Sequence, residues 1–350
     1  DFCLSRGLGD VYKRQIDMAI AQPPEVTNIM NVLNTFLKWK SLNGPPRGYT
    51  SYHPSSFGGC LRKAQYQRYM DMGLVKAEAA EQEPKTVRIF DTGHSMHSRW
   101  AHYFEQIGVL RGVWECANEC CHLWDDKGEF IVGNPGIENP ALPRKGRMYG
   151  LDNKIGCFRP KVCVCGNTKF RYHEITVEDK ELNFHGHCDQ ILDFSQFDPG
   201  MFAKGNKVDV LFRAEDLPKK PVVLDMKSIN SFSFKSKLEM GPSLVYRTQL
   251  VIYCNLLDLD FGVLIYENKD DSNTKIYKID RNPEMWLKIK DQASKMNEMV
   301  EDKLLPPPRP VSKEDFDCRY CEFQSICHNS KAWQDPELLQ KRLKFYGTLE

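Results

Sequence analysis

The chain has 350 residues, which is enough for one large domain or two ordinary ones. Its hydrophobic content of 41%, charged content of 27% and net charge of +1 are typical of a soluble globular protein and exclude a chain that is basic overall. No apolar run approaches the roughly 20 residues that span a membrane, and we recognise no signal peptide. We therefore expect a cytoplasmic protein without membrane association.

The N-terminal region is predicted to be helical. Residues 1–17 precede the first Met and show no apolar periodicity, so we expect them to be a non-native tail. Between residues 18 and 112, apolar residues recur at helical spacing. The predicted helices are Glu25–Lys40, about Cys60–Met72, and Thr86–Val109.

The rest of the chain divides into three predicted regions. Residues 113–170 are dense in Cys, Gly and Pro and poor in apolar residues, which indicates an inserted module held together by metal. Residues 171–305 combine strands with helices, which indicates an α/β core, and residues 306–350 form a C-terminal segment after a run of prolines. The predicted core strands are Arg171–Val177, Leu182–Phe194, Val222–Ser228, Gly262–Glu267 and Lys275–Ile279, and the core helices are Ser243–Leu257 and Pro283–Asp302.

The strand Val222–Ser228 contains an acid and a base two positions apart. Asp225 and Lys227 therefore lie on the same face of the strand. The two side chains could form a structural ion pair. An aspartate and a lysine are also the groups needed to hold a divalent metal ion and to activate a water for phosphodiester cleavage.

Other polar residues near this strand could complete a metal site. His97 lies on the third predicted helix, and Asp189 lies at the start of the segment Gln190–Phe194. Gln249 and Tyr253 are four residues apart and share one face of their helix. Carboxylate and carbonyl oxygens suit Mg²⁺ or Mn²⁺, and an imidazole favours Mn²⁺. The candidate metal ligands are His97, Asp189, Asp225 and the backbone carbonyl of Met226.

These residues, taken in order, resemble a known family. The set Gly93 and His97, Gly186 and Asp189, Asp225-Met226-Lys227, then Gln249 and Tyr253 resembles the PD-(D/E)XK nucleases, in particular the RecB-like exonucleases. The resemblance implies a restriction-endonuclease-like core, with a mixed central sheet flanked by helices. It also implies that the histidine and the two acids bind metal, that Asp225 and Lys227 are catalytic, and that Gln249 and Tyr253 support the site and the DNA.

The resemblance implies a metal-dependent DNA exonuclease. Such a hydrolase would degrade single-stranded or frayed ends with a water activated by Mg²⁺ or Mn²⁺. The expected roles are recombination, DNA end processing or, with CRISPR-adaptation proteins, spacer acquisition, in a bacterial cell or a phage-infected host. Two alternatives stay open: a non-catalytic DNA-binding or scaffold protein of the same fold, and an endonuclease of the same superfamily.

The outer cysteines form one predicted metal site. Thirteen cysteines without a secretion signal favour metal binding over disulfides. Cys318, Cys321 and Cys327 have ligand spacing and need a fourth thiolate, for which Cys60 is the candidate. A distant N-terminal cysteine with a C-terminal trio resembles the iron–sulfur RecB-like exonucleases, of the CRISPR-associated and AddB types, and implies a [4Fe–4S] cluster. Four thiolates could instead hold Zn²⁺.

The inner cysteines form a second predicted site, for structural Zn²⁺. Two cysteine pairs lie about 40 residues apart, with spacings of Cys-x₃-Cys and Cys-x-Cys. The chosen ligands are Cys116, Cys120, Cys163 and Cys165, and the alternates are Cys121, His122 and Cys157. The other interpretation is a loop with unliganded cysteines.

A local basic patch is the predicted contact for DNA. Its residues are Lys204, Lys207, Arg213, Lys219, Lys220, Lys235, Lys237 and Arg247. Phe232 and Phe234 interleave with the patch and could stack on bases. A solvated loop with buried phenylalanines is the competing interpretation.

Overall fold

The computed structural model describes residues 24–43, 48, 50–76, 82–118, 123–124, 130–131, 146–203, 208–309, 312–319 and 321–347. Its helices are α1 (Pro24–Asn43), α2 (Pro54–Phe57), α3 (Leu61–Asp71), α4 (Pro84–Gln106), α5 (Ser231–Met240), α6 (Leu244–Leu257), α7 (Pro283–Glu301), α8 (Phe316–Arg319), α9 (Gln324–His328) and α10 (Leu338–Tyr346). Its strands are β1 (Leu110–Cys116), β2 (Leu123–Trp124), β3 (Phe130–Ile131), β4 (Met148–Tyr149), β5 (Cys157–Phe158), β6 (Phe170–His173), β7 (Ile175–Asp179), β8 (Phe184–Cys188), β9 (Gln190–Leu192), β10 (Val222–Ile229), β11 (Phe261–Asn268) and β12 (Thr274–Asp280). Among the helices described, none is both long and apolar enough to span a bilayer.

The chain clusters into two compact units. One comprises Asp1–Arg47 and Ala79–Thr92, and the other comprises Gly48–Glu78 and Gly93–Glu350. In the first unit, α1 is joined to the beginning of α4 by a 2.8 Å hydrogen bond from Arg88 Nη1 to Asn34 Oδ1. The second unit contains the sheet and every candidate site residue discussed below.

A mixed sheet forms the centre of the second unit. Its strand order is β12-β11-β10-β9-β1-β4, and β5 and β6 also pair with β1. The pair β10 and β11 is parallel, whereas the other pairs within this sheet are antiparallel. Parallel neighbours need a crossover connection, and α5 and α6 lie in the connection between these two strands.

Both faces of β10 are covered. Val223 belongs to the hydrophobic cluster that contains Leu250 of α6, whereas Leu224 and Met226 belong to the cluster that contains Met96 of α4. This double burial explains why the strand begins as a continuous apolar run. Asp225 has the same parity as Val223, so it lies on the α6 face of a strand whose first five residues are buried.

The structure confirms an α/β fold with a mixed central sheet flanked by helices and differs from the predicted elements in detail. The strand predicted at Arg171–Val177 is two strands, β6 and β7, and the one predicted at Leu182–Phe194 is also two, β8 and β9. The break between β8 and β9 falls at Asp189, so the interruption places this carboxylate at the strand junction. Strand β1 crosses residue 113, so the beginning of the predicted cysteine-rich module belongs to the central sheet.

Candidate active site

Asp225 and Lys227 of β10 are in direct contact. Lys227 Nζ lies 2.9 Å from Asp225 Oδ1, and the two side chains are 20% and 1% exposed, respectively. The ammonium also lies 5.0 Å from the ring centroid of Tyr246. An ion pair this deeply placed gains little net stability, because both groups lose water.

Helix α6 supplies a second contact to the same carboxylate. Gln249 Nε2 donates a 2.8 Å hydrogen bond to Asp225 Oδ1. One turn later, Tyr253 donates from its hydroxyl to the carbonyl of His187 at 2.7 Å. The predicted helix face therefore does meet the predicted strand, and α6 links β10 to the β7–β8 hairpin.

His97 and Asp189 form the other half of the site. His97 Nδ1 lies 3.0 Å from Asp189 Oδ2. The same carboxylate oxygen accepts a 3.1 Å hydrogen bond from the backbone N–H of Met226. This bond fixes Asp189 beside the peptide that joins Asp225 to Lys227. His97, Asp189, Asp225 and Lys227, predicted from distant parts of the sequence, thus lie in one connected group.

The charges of these groups act on one another. The hydrogen bond to Asp189 raises the pKa of His97. Burial would raise the pKa of Asp189. The hydrogen bond with His97 and the charge of Lys227 outweigh burial and lower this pKa. Burial raises the pKa of Asp225 to about 7. Against the effect of burial, Asp225 and Asp189 raise the pKa of Lys227.

An open cleft of about 900 Å³ lies beside this group. His97, Asp189 and Glu174 are among its lining residues. Glu174 follows β6, and burial together with the charge of Asp189 raises its pKa to about 7. In the sequence, no spacing rule connects Glu174 with Asp189. The structure places it on the cleft wall.

One oxygen of the group suits a metal ion. Asp225 Oδ2 is buried and has no hydrogen-bond partner in the described part of the chain. A buried carboxylate oxygen without a partner is costly, and a cation relieves that cost. The donor types of Asp225, Asp189 and His97 suit Mg²⁺ or Mn²⁺, whereas their ligand atoms do not all lie within 4.8 Å of one another, as those of the inner cysteines do.

Three supporting residues were not predicted from the sequence. Tyr172 donates from its hydroxyl to the carbonyl of Asp189 at 2.9 Å, and Gln190 Nε2 donates to the carbonyl of His97 at 3.3 Å. Glu267 of β11 accepts a 2.6 Å hydrogen bond from Trp100 Nε1 and also pairs with Arg99. The only sequence signal was a polar residue in an apolar strand, which Gln190 and Glu267 both show.

Glycine at position 186 permits this packing. A Cβ there would lie 2.8 Å from Pro54 Cδ and 3.5 Å from the Tyr253 hydroxyl. The former distance is shorter than ordinary carbon contacts allow. A side chain at position 186 would therefore displace Pro54 from beside the Tyr253 hydroxyl.

The inner cysteines meet in part. The sulfurs of Cys116, Cys163 and Cys165 all lie within 4.8 Å of one another, and the Cys116–Cys165 distance is 3.7 Å. Asn167 Nδ2 and the Tyr149 hydroxyl each donate to one of these sulfurs at 3.2 Å. This triad could bind a metal ion. The fourth predicted ligand, Cys120, and the alternates Cys121 and His122 lie outside the described residues.

The outer cysteines are neighbours with wider spacing. Burial, together with the charges of Cys60, Cys327 and Cys321, raises the pKa of the Cys318 thiol to about 12. Within the described ranges, no three of these sulfurs all lie within 4.8 Å of one another, unlike the inner triad. Arg62 on α3, which follows Cys60, donates to the carbonyl of Pro306 at 2.9 Å and joins this region to the C-terminal segment.

Two described residues of the predicted basic patch are paired with acids. Arg213 pairs with Asp216 at 2.6 Å, and Lys220 pairs with Asp260 at 2.9 Å. Phe234 is buried, whereas Phe232 is 84% exposed. Lys204 and Lys207 lie outside the described residues.

Known proteins resemble this chain only distantly. No family model matches the sequence, and none of the curated proteins matches it. The solved structure of SSO0001 is 13% identical with a TM-score of 0.38, and the alignment covers 85% of this chain and 95% of SSO0001. The alkaline exonuclease LHK-Exo from Laribacter hongkongensis is 12% identical with a TM-score of 0.27, over 37% of this chain. LHK-Exo in complex with dAMP is 14% identical with a TM-score of 0.26, again over 37%. The chain spans 56% and 58% of these two exonuclease structures.

Proposed function

We propose that the chain is a metal-dependent DNA exonuclease that hydrolyses phosphodiester bonds at single-stranded or frayed ends. The observation that carries the proposal is the buried, unpartnered Oδ2 of Asp225, beside the linked pair Asp189 and His97. These residues, with the Met226 carbonyl, would hold Mg²⁺ or Mn²⁺. When bound, the ion would activate the attacking water and offset charge on the scissile phosphate.

Lys227 acts on the phosphate by its charge. Because Asp225 and Asp189 raise its pKa, the side chain is an ammonium at neutral pH and cannot accept a proton from water. An ammonium can orient the water and stabilise negative charge that develops on the phosphate. Gln249 holds Asp225 in place by its hydrogen bond, and Tyr253 secures the strand that leads to Asp189.

The proposal includes two cysteine-bound metal centres. Around one tetrahedral Zn²⁺ with Zn–S bonds of about 2.3 Å, ligand sulfurs lie about 3.8 Å apart, close to the 3.7 Å of Cys116 and Cys165. We assign the inner set to structural Zn²⁺, with Cys120 as its fourth ligand. We assign Cys60, Cys318, Cys321 and Cys327 to a [4Fe–4S] cluster that their thiolates would hold, since no three of these sulfurs are as close together as the inner triad.

The experiment is digestion of end-labelled single- and double-stranded DNA with Mg²⁺ or Mn²⁺. We expect stepwise loss from the ends, abolished by Asp225→Ala and reduced about 10²–10³-fold by Lys227→Ala. Asp271→Ala and Lys290→Ala, which remove the same charges outside the site, should retain activity. Circular single-stranded DNA should resist the enzyme.

Three other results would lead to other conclusions. Cleavage of the circle would assign an endonuclease. DNA binding without cleavage by a protein with both cysteine centres filled would assign a non-catalytic binding protein. Activity equal to wild type in Asp225→Ala would refute the proposed site.

A further inference from the structure

A basic trough lies on the side of α6 away from the candidate active site. Two adjoining cavities of about 250 and 210 Å³ form it, and they share Arg247, Asn282 and Met285. Arg247 and Val251 are four residues apart on α6 and both line the trough. Gln249 is two positions from each, about 200° around the helix, and contacts Asp225. The trough and the contact with Asp225 therefore lie on different faces of α6.

Basic side chains from three segments converge on the trough. Arg247 comes from α6, Lys288 from α7 and Arg309 from the segment after α7, and all three line the larger cavity. Arg309 also donates to the carbonyl of Gly58. Neither Arg247 nor Lys288 forms an ion pair with a described residue. The opposing charge in this cavity is Glu284 alone among the described lining residues.

The smaller cavity adds a balanced pair. Lys278 and Asp280 both line it and lie in contact with each other, so they contribute little net charge. The trough as a whole keeps an excess of positive charge. That excess distinguishes it from the catalytic cleft, where Asp189 and Glu174 are the acidic lining groups.

Two helix N-termini add to the positive field. Leu244 is the first residue of α6 and Asn282 caps α7, and both line the larger cavity. The cap residue Ser243 makes no side-chain hydrogen bond to α6, and its hydroxyl is buried without a described partner. A Cβ at Gly58 would lie 2.6 Å from Val245 Cα, so the loop before Cys60 packs directly against this first turn.

We propose that the basic trough binds phosphate groups of a nucleic-acid strand, at a surface separate from the catalytic cleft. Arginine and lysine side chains together with helix N-termini recognise phosphate oxygens by charge-assisted hydrogen bonds. Because two cavities adjoin, the trough has room for successive phosphates of a strand rather than for one isolated anion. The substrate class rests on the proposed function, whereas the existence of the site does not.

The test is binding of fluorescein-labelled oligothymidylate to the full chain, with both cysteine centres filled. The measurement is made without Mg²⁺ or Mn²⁺ and without chelator, so cleavage is absent and the cysteine centres stay filled. Binding is followed by anisotropy as salt is varied. We expect the charge reversals Arg247→Glu and Lys288→Glu together to weaken binding and to lower the log–log salt slope by about 0.7 for each phosphate that the protein no longer neutralises.

Lys290→Glu is the matched control, because Lys290 lies on the same helix as Lys288 but does not line the trough. It should bind as wild type does. Thermal unfolding checks that each variant folds, and Arg247→Ala with Lys288→Ala provides a milder pair. Equal salt slopes in the trough and control variants overturn the proposal. Loss of thymidine monophosphate binding without loss of oligonucleotide binding also overturns it, in favour of a free-nucleotide site.

This measurement is independent of the nuclease assay. A protein that binds through the trough but cleaves nothing keeps this inference and loses the proposed function. An active nuclease whose trough variants show an unchanged salt slope keeps the proposed function and loses this inference.

Discussion

Gln249 donates a 2.8 Å hydrogen bond from its side-chain N–H to Oδ1 of Asp225. The same oxygen also accepts a hydrogen bond from the ammonium of Lys227. The arrangement occupies one carboxylate oxygen with two donors and leaves the other buried without a described partner. Under the proposed function, Gln249 would be a positioning residue that keeps the second oxygen free for a cation.

We expect Gln249→Leu to weaken Mn²⁺ binding and activity by about 10–100-fold, the usual effect of losing a hydrogen bond that orients a metal ligand. Titration with Mn²⁺ measures the affinity, and the rise of activity with Mn²⁺ concentration should shift in parallel. Asn255→Ala on the same helix is the control, because Asn255 contacts Arg281 rather than Asp225. A loss of activity with unchanged Mn²⁺ affinity would contradict the positioning role.

The metal-free protein should become less stable as pH rises toward neutrality. Burial raises the pKa of Asp225 from its ordinary value of 3.8 to about 7, so the folded chain binds this proton more tightly than the unfolded chain. Stability is therefore lost as pH rises between the two values. His97, whose raised pKa also favours its protonated form in the folded chain, adds a loss in the same direction.

Thermal unfolding midpoints in EDTA, from about pH 5 to pH 8, measure this dependence. Asp225→Asn should show a shallower fall with pH, with the contribution of His97 retained. Added Mn²⁺ should raise the stability of the wild-type protein again at the upper end of this pH range. A variant as pH-dependent as wild type would show that Asp225 titrates at an ordinary pKa.

Glu267 should hold α4 in the position that His97 needs. It is 1% exposed and accepts hydrogen bonds from Trp100 and Arg99, close to His97 on the same helix. We expect Glu267→Gln to lower the free energy of unfolding by about 1–3 kcal/mol, because it weakens buried charge-assisted bonds. Urea unfolding measures the loss, and Mn²⁺ affinity should also fall. Full stability with unchanged affinity would exclude this role.

Removal of the inner metal should disturb the cleft wall. Cys116 pairs with Phe170 in the sheet, and β6 continues from there to Tyr172, which donates to the Asp189 carbonyl. We expect Cys163→Ser to lose one equivalent of Zn²⁺, lower the unfolding temperature and reduce cleavage. Elemental analysis and thermal scans measure these effects. Cys157→Ser is the control and should keep its zinc, because Cys157 lies outside the triad. Zinc retained in Cys163→Ser would contradict the assignment.

The outer cysteines should give a coloured protein when it is purified without oxygen. We expect about four iron and four sulfide per chain if they hold a [4Fe–4S] cluster. Cys318→Ser should abolish the colour. Cys254→Ser changes a buried cysteine on α6 outside the set, so it is the control and should keep the colour. Colourless protein with one additional zinc would assign this site to Zn²⁺.

The sequence alone was sufficient to predict that Asp225 and Lys227 lie side by side, because alternation along a strand is a local property. It also predicted the helix face of Gln249 and Tyr253, and the bounds of five helices to within three residues, because helical spacing is local as well. The helix α5 was not predicted. The roles of Glu267 and Tyr172 could not be predicted in this way, because their partners lie far away in the chain.

Only the tertiary structure decided how these local elements meet. The break at Asp189 lets its carboxylate reach the Met226 N–H and His97 together. Burial between strand and helix raises the pKa of Asp225, a property that no spacing of residues specifies. Likewise, Arg247 was predicted within a basic patch, but the packing of α6 against α7 placed it in a trough. The residue types that can do the chemistry are a matter of sequence, whereas distance, desolvation and direction depend on how distant segments pack.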